Sequence, residues 1–121
     1  MRLYALRGAT TVDANDRDQI LVATTELLRE ILERNALAPE DAVSCIFTMT
    51  EDLDAEFPAV AARELGFNAV PLLCTREIPV PGSLPRVIRI LMHFYAEHGH
   101  ETKHVYLREA RKLRADLSGA Q

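Results

Sequence analysis

The apolar positions of this chain fall into two spacings, a strand period of about 2 and a helix period of about 3.6. Leu3, Tyr4 and Leu6 make residues 2 to 7 a strand. Between Asp16 and Asn35, Ile20, Leu21, Thr24, Leu27, Leu28, Ile31 and Leu32 line one face of a long helix, and Asp13, Asn15 and Asp16 are available as caps. Pro39-Glu40-Asp41 is a turn, after which the nearly continuous apolar run Val43 to Met49 predicts a buried strand. Thr50 to Asp54 is loop. Pro58 at a first helical position and Gly66 just past Leu65 bracket a short helix carrying Ala59, Ala62 and Arg63. Ala69 to Cys74 predicts a third strand. Pro79-Val80-Pro81-Gly82-Ser83 can continue neither strand nor helix, and Ser83 is placed to cap a helix from Leu84 to Glu97 that Gly99 ends. Lys103 to Leu107 gives the last strand. This order is that of an α+β fold of the α/β type: one domain over residues 1–121, with a mixed β-sheet, helices packed on one face, and residues 118–121 as a tail.

Length adds a constraint. With 121 residues, 48% of them apolar, the chain can bury one core but is short for covering both faces of a sheet. Self-association would supply the missing cover. No stretch approaches the ~20 apolar residues of a membrane span, and Met1-Arg2-Leu3-Tyr4 leads into a strand pattern without a signal-peptide layout. The expectation is a cytoplasmic protein with no membrane partner. A formal charge of −4 argues against nucleic acid as the main partner. Cys45 lies in an apolar run and Cys74 near charged residues, with neither a Cys-x-x-Cys pair nor a ladder of spacings, so two reduced thiols are expected.

Candidate chemistry begins at Arg7-Gly8-Ala9-Thr10-Thr11, where an arginine closing a short strand is followed by glycine. That places a guanidinium beside backbone that can approach a carboxylate closely. Arg86, Arg89, His93 and Glu97 recur three or four residues apart, and that stripe reads Arg89 as a solvated helix position. By pattern Glu77 beside Arg76 is a surface acid, Tyr106 packs or donates, and Cys74 is a small buried hydrophobe. His93, His98, His100 and His104 cross a helix end, a loop and a strand without a carboxylate or thiol to complete a ligand pattern, so they read as solvated and no metal is expected. Arg108, Arg111, Lys112 and Arg114 read as a basic tail, which Leu113 and Leu117 would let fold over a pocket that wants positive charge.

Taken in order, several short motifs agree with one family. Arg7-Gly8-Ala9-Thr10-Thr11-Val12, Phe57-Pro58-Ala59 through Ala62-Arg63-Glu64-Leu65, Val70-Pro71-Leu72-Leu73-Cys74-Thr75-Arg76-Glu77, Ile88-Arg89 and His104-Val105-Tyr106-Leu107 together resemble the monofunctional, mixed α/β class of chorismate mutases. The match runs from Arg7 to about Leu117, and no single motif in it is specific. The resemblance implies a ferredoxin-like chain that assembles as a trimeric pseudo-barrel with its sites in clefts between subunits. It also implies conversion of chorismate to prephenate in phenylalanine and tyrosine biosynthesis, an isomerisation without cofactor or metal.

By the same resemblance the catalytic residues are Arg89, Glu77 and Arg7. Arg89 would meet the ether oxygen as it gains negative charge, Arg7 and Tyr106 would bind carboxylate, and Glu77 and Cys74 would meet the ring hydroxyl. The segment Leu73, Cys74, Thr75, Arg76 and Glu77 is carried over as a unit, and Phe57, Ala59 and Arg63 would come from a neighbouring subunit beside Leu72 and Leu73. Val60 and Leu73 depart from polar residues that family members can carry there. Two alternatives stand beside this one. A non-catalytic trimer that binds a small carboxylate and reports metabolite level needs no cation at an ether oxygen; a small trimeric imine or enamine deaminase must activate water, for which Glu77 is the only strong base.

Overall fold

A computed structural model of the chain describes residues 1–114. Asp16 accepts a hydrogen bond from the Gln19 amide at 3.0 Å and so starts α1 (Arg17–Arg34), satisfying one of the free donors of a helix N-terminus. Most of the predicted face of α1 turns inward: Ile20, Thr24, Leu27, Leu28 and Ile31 are buried together with Ala23, while Leu21 and Leu32 at its margin are partly buried. At its far end the buried Asn35 side chain donates to the Ile31 and Lys103 carbonyls and accepts from the Lys103 amide, tying the helix to the C-terminal segment. The bracketed short helix is α2 (Ala59–Glu64), with Pro58 as its N-cap.

Five strands complete the fold: β1 (Arg2–Thr11), β2 (Ala42–Met49), β3 (Leu72–Arg76), β4 (Val87–Ala96) and β5 (Val105–Tyr106). They form one mixed sheet in the order β3-β2-β4-β1-β5, with β4 antiparallel to both its neighbours and the two outer pairs parallel. Leu6, Cys45, Phe47, Ile90, Met92 and Phe94 project from one face into the core with Leu27, Leu28 and Ile31 of α1 and Ala59 and Ala62 of α2. On the opposite face, among the described residues, only the helical turns at 108–114 pack, with Ala110 and Leu113 against Ala9, Val87 and Tyr106, while Leu3, Leu73 and Tyr95 stay about half exposed.

The largest departure from the sequence pattern is β4. Residues 84–97 are not a helix; Val87–Ala96 is the central strand, paired with β1 along its whole length and with β2 from Ala42 to Met49. Its inward residues Ile88, Ile90, Met92 and Phe94 alternate with Arg89, Leu91, His93 and Tyr95, and the β-branched and aromatic content favours a pleated surface. The helical charge stripe is a coincidence of spacing. Arg86 does not belong to it at all, since it stands at φ 52° just before the strand, its amide held by the Asp52 carboxylate and its Nε by the Val12 carbonyl. Ser83 caps no helix: its hydroxyl donates to the Val80 carbonyl at 2.6 Å and closes the turn that leads into β4.

Smaller corrections concern boundaries. β1 runs on past Arg7 to Thr11, so Gly8 is a mid-strand residue paired with Ile90 and Val105 rather than a turn. Its missing side chain makes room for α1, because a Cβ there would lie 2.9 Å from Ile31 Cδ1. β3 starts after Pro71, later than predicted, and β5 is only two residues long.

Candidate functional site

Strand register brings the chemistry together on the opposite, largely uncovered face. Thr48 of β2 lies opposite Arg89 of β4, Arg89 lies opposite Ala9 of β1, and Ala9 lies opposite Tyr106 of β5. Two-residue periodicity then adds Arg7, Ile46 and Leu91 to the same side. Glu77 follows β3 directly, and its amide donates to the Met49 carbonyl at 2.9 Å, which carries its carboxylate back over β2. The result is a hollow of about 270 Å³ walled by Arg7, Thr48, Glu77, Arg89 and Tyr106 on an apolar floor.

Within it, Arg89 Nε stands 3.1 Å from Glu77 Oε2, and the same carboxylate oxygen accepts a hydrogen bond from the Thr48 hydroxyl. The Arg89 Nε–H is nevertheless not aimed at an acceptor: it is buried and makes no aligned hydrogen bond. Proximity without alignment is charge pairing, weaker in orientation than a two-pronged guanidinium–carboxylate contact. Arg7 forms no ion pair among the described residues. Two guanidiniums against one carboxylate leave the hollow with an excess of positive charge, on a chain whose formal net charge is −4.

The Arg7 backbone is fixed from the C-terminal side, where its amide donates to His104 Nδ1 at 3.0 Å. Burial holds the His104 imidazole below its ordinary pKa, and the Arg7 charge lowers it further. A neutral ring is what this contact requires, since a protonated Nδ1 cannot accept. The other histidines are dispersed: His93 meets the Ser44 hydroxyl at 3.2 Å, and His100 packs against Tyr4 and Phe94. Among the described residues no three metal-ligating side chains cluster.

The remaining candidates lie elsewhere in the chain. Arg76 Nη1 donates to the Thr50 and Leu53 carbonyls, both at 3.1 Å, and its guanidinium staples that loop instead of entering the hollow. Cys74 faces α2. Burial pushes its thiol up, an effect opposed by the Ala59 amide and the Arg63 charge beside it. Both cysteines are free. Leu73 and Thr75 sit on the uncovered face toward the sheet edge, next to Ile46 and Thr48 in register. Phe57 is 63% exposed, Ala59 is buried, and Arg63 is exposed, and none of the three walls the hollow of its own chain. Leu113 packs with Ala9, Val87 and Tyr106 beside the hollow; Leu117 and residues 118–121 lie outside the described residues. Arg108 pairs with Glu26 and Lys112 with Glu109, so these cations of the basic run are engaged away from the hollow.

Sequence reasoning passed over Thr48 and the contact His104 makes. Thr48 sits in an apolar run with no motif around it, and only the register opposite Arg89 marks it.

The family model for chorismate mutase type I matches residues 3–117. Chorismate mutase AroH of Thermus thermophilus is 51% identical over 118 residues, covering 96% of this chain and 97% of that protein. Chorismate mutase AroH of Bacillus subtilis (strain 168) is 42% identical over 120 residues, covering 98% and 94%. Among solved structures, a chorismate mutase from Clostridium thermocellum superposes with a TM-score of 0.86 at 48% identity, covering 90% of this chain and 98% of that one.

Proposed function

The chain belongs to the chorismate mutase type I family, and from that premise we propose that its hollow binds chorismate and rearranges it to prephenate, on the route to phenylalanine and tyrosine. The reaction is intramolecular. As the ether C–O bond breaks, a C–C bond forms between the enolpyruvyl terminus and the ring, and negative charge grows on the ether oxygen in the transition state. No nucleophile, proton transfer or redox step is needed, so the work falls to shape and to fixed charge.

Arg89 is the cation for that oxygen. It rises from the middle of the central strand, where pairing on both sides fixes its Cα, and Glu77 sits 3.1 Å from its Nε. A preorganised donor at a developing oxyanion lowers the barrier by about 2.7–4 kcal/mol. Arg7 and the Tyr106 hydroxyl hold substrate carboxylate, which offsets the excess positive charge of the hollow. The Glu77 oxygen not taken by Thr48 and Arg89 accepts the ring hydroxyl, and the backbone of Leu73, Cys74 and Thr75 frames that end of the ring. The observation that carries this reading is the pairing of Arg89 with Glu77 in a hollow where, among the described residues, Arg7 has no acid of its own.

The same premise extends to a cytoplasmic homotrimer with shared sites. A sheet whose second face is covered only at the corner under Ala110 and Leu113, with Leu73 58% and Phe57 63% exposed, supports it, as does the exclusion of Phe57, Ala59 and Arg63 from their own chain's hollow. These three residues would complete the hollow of a neighbour. Loss of chorismate absorbance on mixing with purified protein tests the activity, and binding of prephenate without such loss would favour the non-catalytic carboxylate binder instead. For the shared site, inactive Arg7→Ala and Arg63→Ala chains are refolded together. Recovered turnover is expected, because mixed trimers contain some hollows with both arginines intact; a mixture as inactive as its parents would place both arginines in one subunit's site.

A further inference from the structure

We propose that Thr48 is a positioning residue of the reaction, whose hydroxyl holds the Glu77 carboxylate so that Arg89 stays available to the substrate. The proposal rests on the assignment of Arg89 and Glu77 above. Glu77 Oε2 receives both the Thr48 hydroxyl and the Arg89 Nε, but only the hydroxyl makes an aligned hydrogen bond. A guanidinium and a carboxylate left to themselves close into two parallel N–H···O bonds. In that arrangement the charge of Arg89 would be neutralised and its donors turned toward Glu77 instead of the ether oxygen.

Thr48 prevents this by geometry set in the sheet. Its Cα is paired with Arg89 on one side and with Thr75 on the other, so its hydroxyl stands between the strand that carries the cation and the strand that leads to the acid. By occupying Oε2 it keeps the carboxylate on the β2 side and leaves Arg89 beside the acid without a locked fork. The ion pair then orients Arg89 and does not consume it.

Three chains are compared for turnover of chorismate: wild type, Thr48→Val, which keeps the shape and removes the hydroxyl, and Thr48→Ser, which restores the hydroxyl without the methyl. For Thr48→Val the expectation is a fall in kcat of roughly tenfold or more, the scale of a lost hydrogen bond to a charged group, with KM changed much less. Thr48→Ser should recover most of that loss. Thr48→Val with kcat unchanged overturns the proposal, and so do equal losses in both variants, which would assign Thr48 a packing role through its methyl group. A loss confined to KM overturns it too, because an orienting role acts on the transition state. If Thr48→Val does not fold, Thr48→Ala against Thr48→Ser gives the same discrimination. A wild-type chain that leaves chorismate unchanged fails the activity itself, whereas wild-type turnover with a silent Thr48→Val fails this inference alone.

Discussion

Replacing Gly8 with alanine adds one methyl group at the tightest point between β1 and α1. The new Cβ would stand 2.9 Å from Ile31 Cδ1, 3.1 Å from Ile90 Cγ2 and 3.2 Å from Leu27 Cδ1. Ile31 and Leu27 are fully buried and Ile90 is 2% exposed, so none can swing into solvent to make room. Side-chain ends can shift by tenths of an ångström, but the shift must propagate through the core shared with Met92 and Phe94. Overpacking of this kind costs about 1–3 kcal/mol. Alanine returns roughly 0.5–1 kcal/mol through the lower entropy of its unfolded chain in a strand context. The net is a destabilisation of about 0.5–2 kcal/mol, with α1 eased away from the sheet. For a urea m-value of roughly 1–3 kcal/mol per molar, the midpoint falls by about 0.2–2 M. Urea denaturation followed by circular dichroism, at one fixed protein concentration for both chains, reads this directly. A midpoint equal to or above that of the wild type, with an unchanged slope, would refute the reasoning that Gly8 is there for closeness of helix and sheet.

The other expectations concern the site. Exchanging Arg89 for citrulline, which keeps the hydrogen-bonding fork and removes the charge, should lower kcat by about 100-fold or more with a much smaller change in KM, the signature of charge used in the transition state; a near-silent exchange in steady-state kinetics would remove Arg89 from the ether oxygen. Cys74→Ala should keep most of the activity, since its thiol faces α2 and burial holds it protonated; loss of turnover with circular dichroism unchanged would bring the thiol into the chemistry. His104, whose pKa is lowered in the fold by burial and by Arg7, contributes stability that is fully present above its unfolded pKa of about 6.5 and is lost as pH falls through the lower folded value. His104→Asn, with an amide oxygen in place of Nδ1, should flatten that part of the thermal-midpoint profile, and a profile parallel to the wild type would refute the assignment.

How far the chain could be read without coordinates depended on which side of the sheet a residue faced. α1 was legible because its apolar positions meet a covered face and its other residues meet water, and Asp16 caps where the pattern starts. α2 was legible from Pro58 and Gly66, and β2 from its continuous apolar run. β4 was not. Leu91 and Tyr95 stand on the uncovered face among Arg89 and His93, so the polar half of the alternation is itself partly apolar, and what survives is a spurious spacing of charges. The boundary of β1 is hidden for a related reason, since a glycine after Arg7 reads as freedom for the backbone where the fold uses it as space for Ile31.

The misread strand and the unread site are one fact seen twice. On a helix from Leu84 to Glu97, Arg89 would have shared a face with Arg86 and His93 and turned away from β2. On the central strand it lies opposite Thr48 and Ala9, with Arg86 drawn off to Asp52 and Val12, and the next residue on its face is Leu91. The resemblance could carry over Arg7, Glu77, Arg89 and Tyr106 as a set because it relies on motif order and not on local conformation. It could not supply Thr48, because a hydroxyl in an apolar run acquires its meaning only from the register that puts it between an acid and a cation. The face that obscured the alternation is therefore the face that carries the hollow, and its mixture of apolar and charged residues suits both the proposed binding of an anion there and the proposed cover by a second copy.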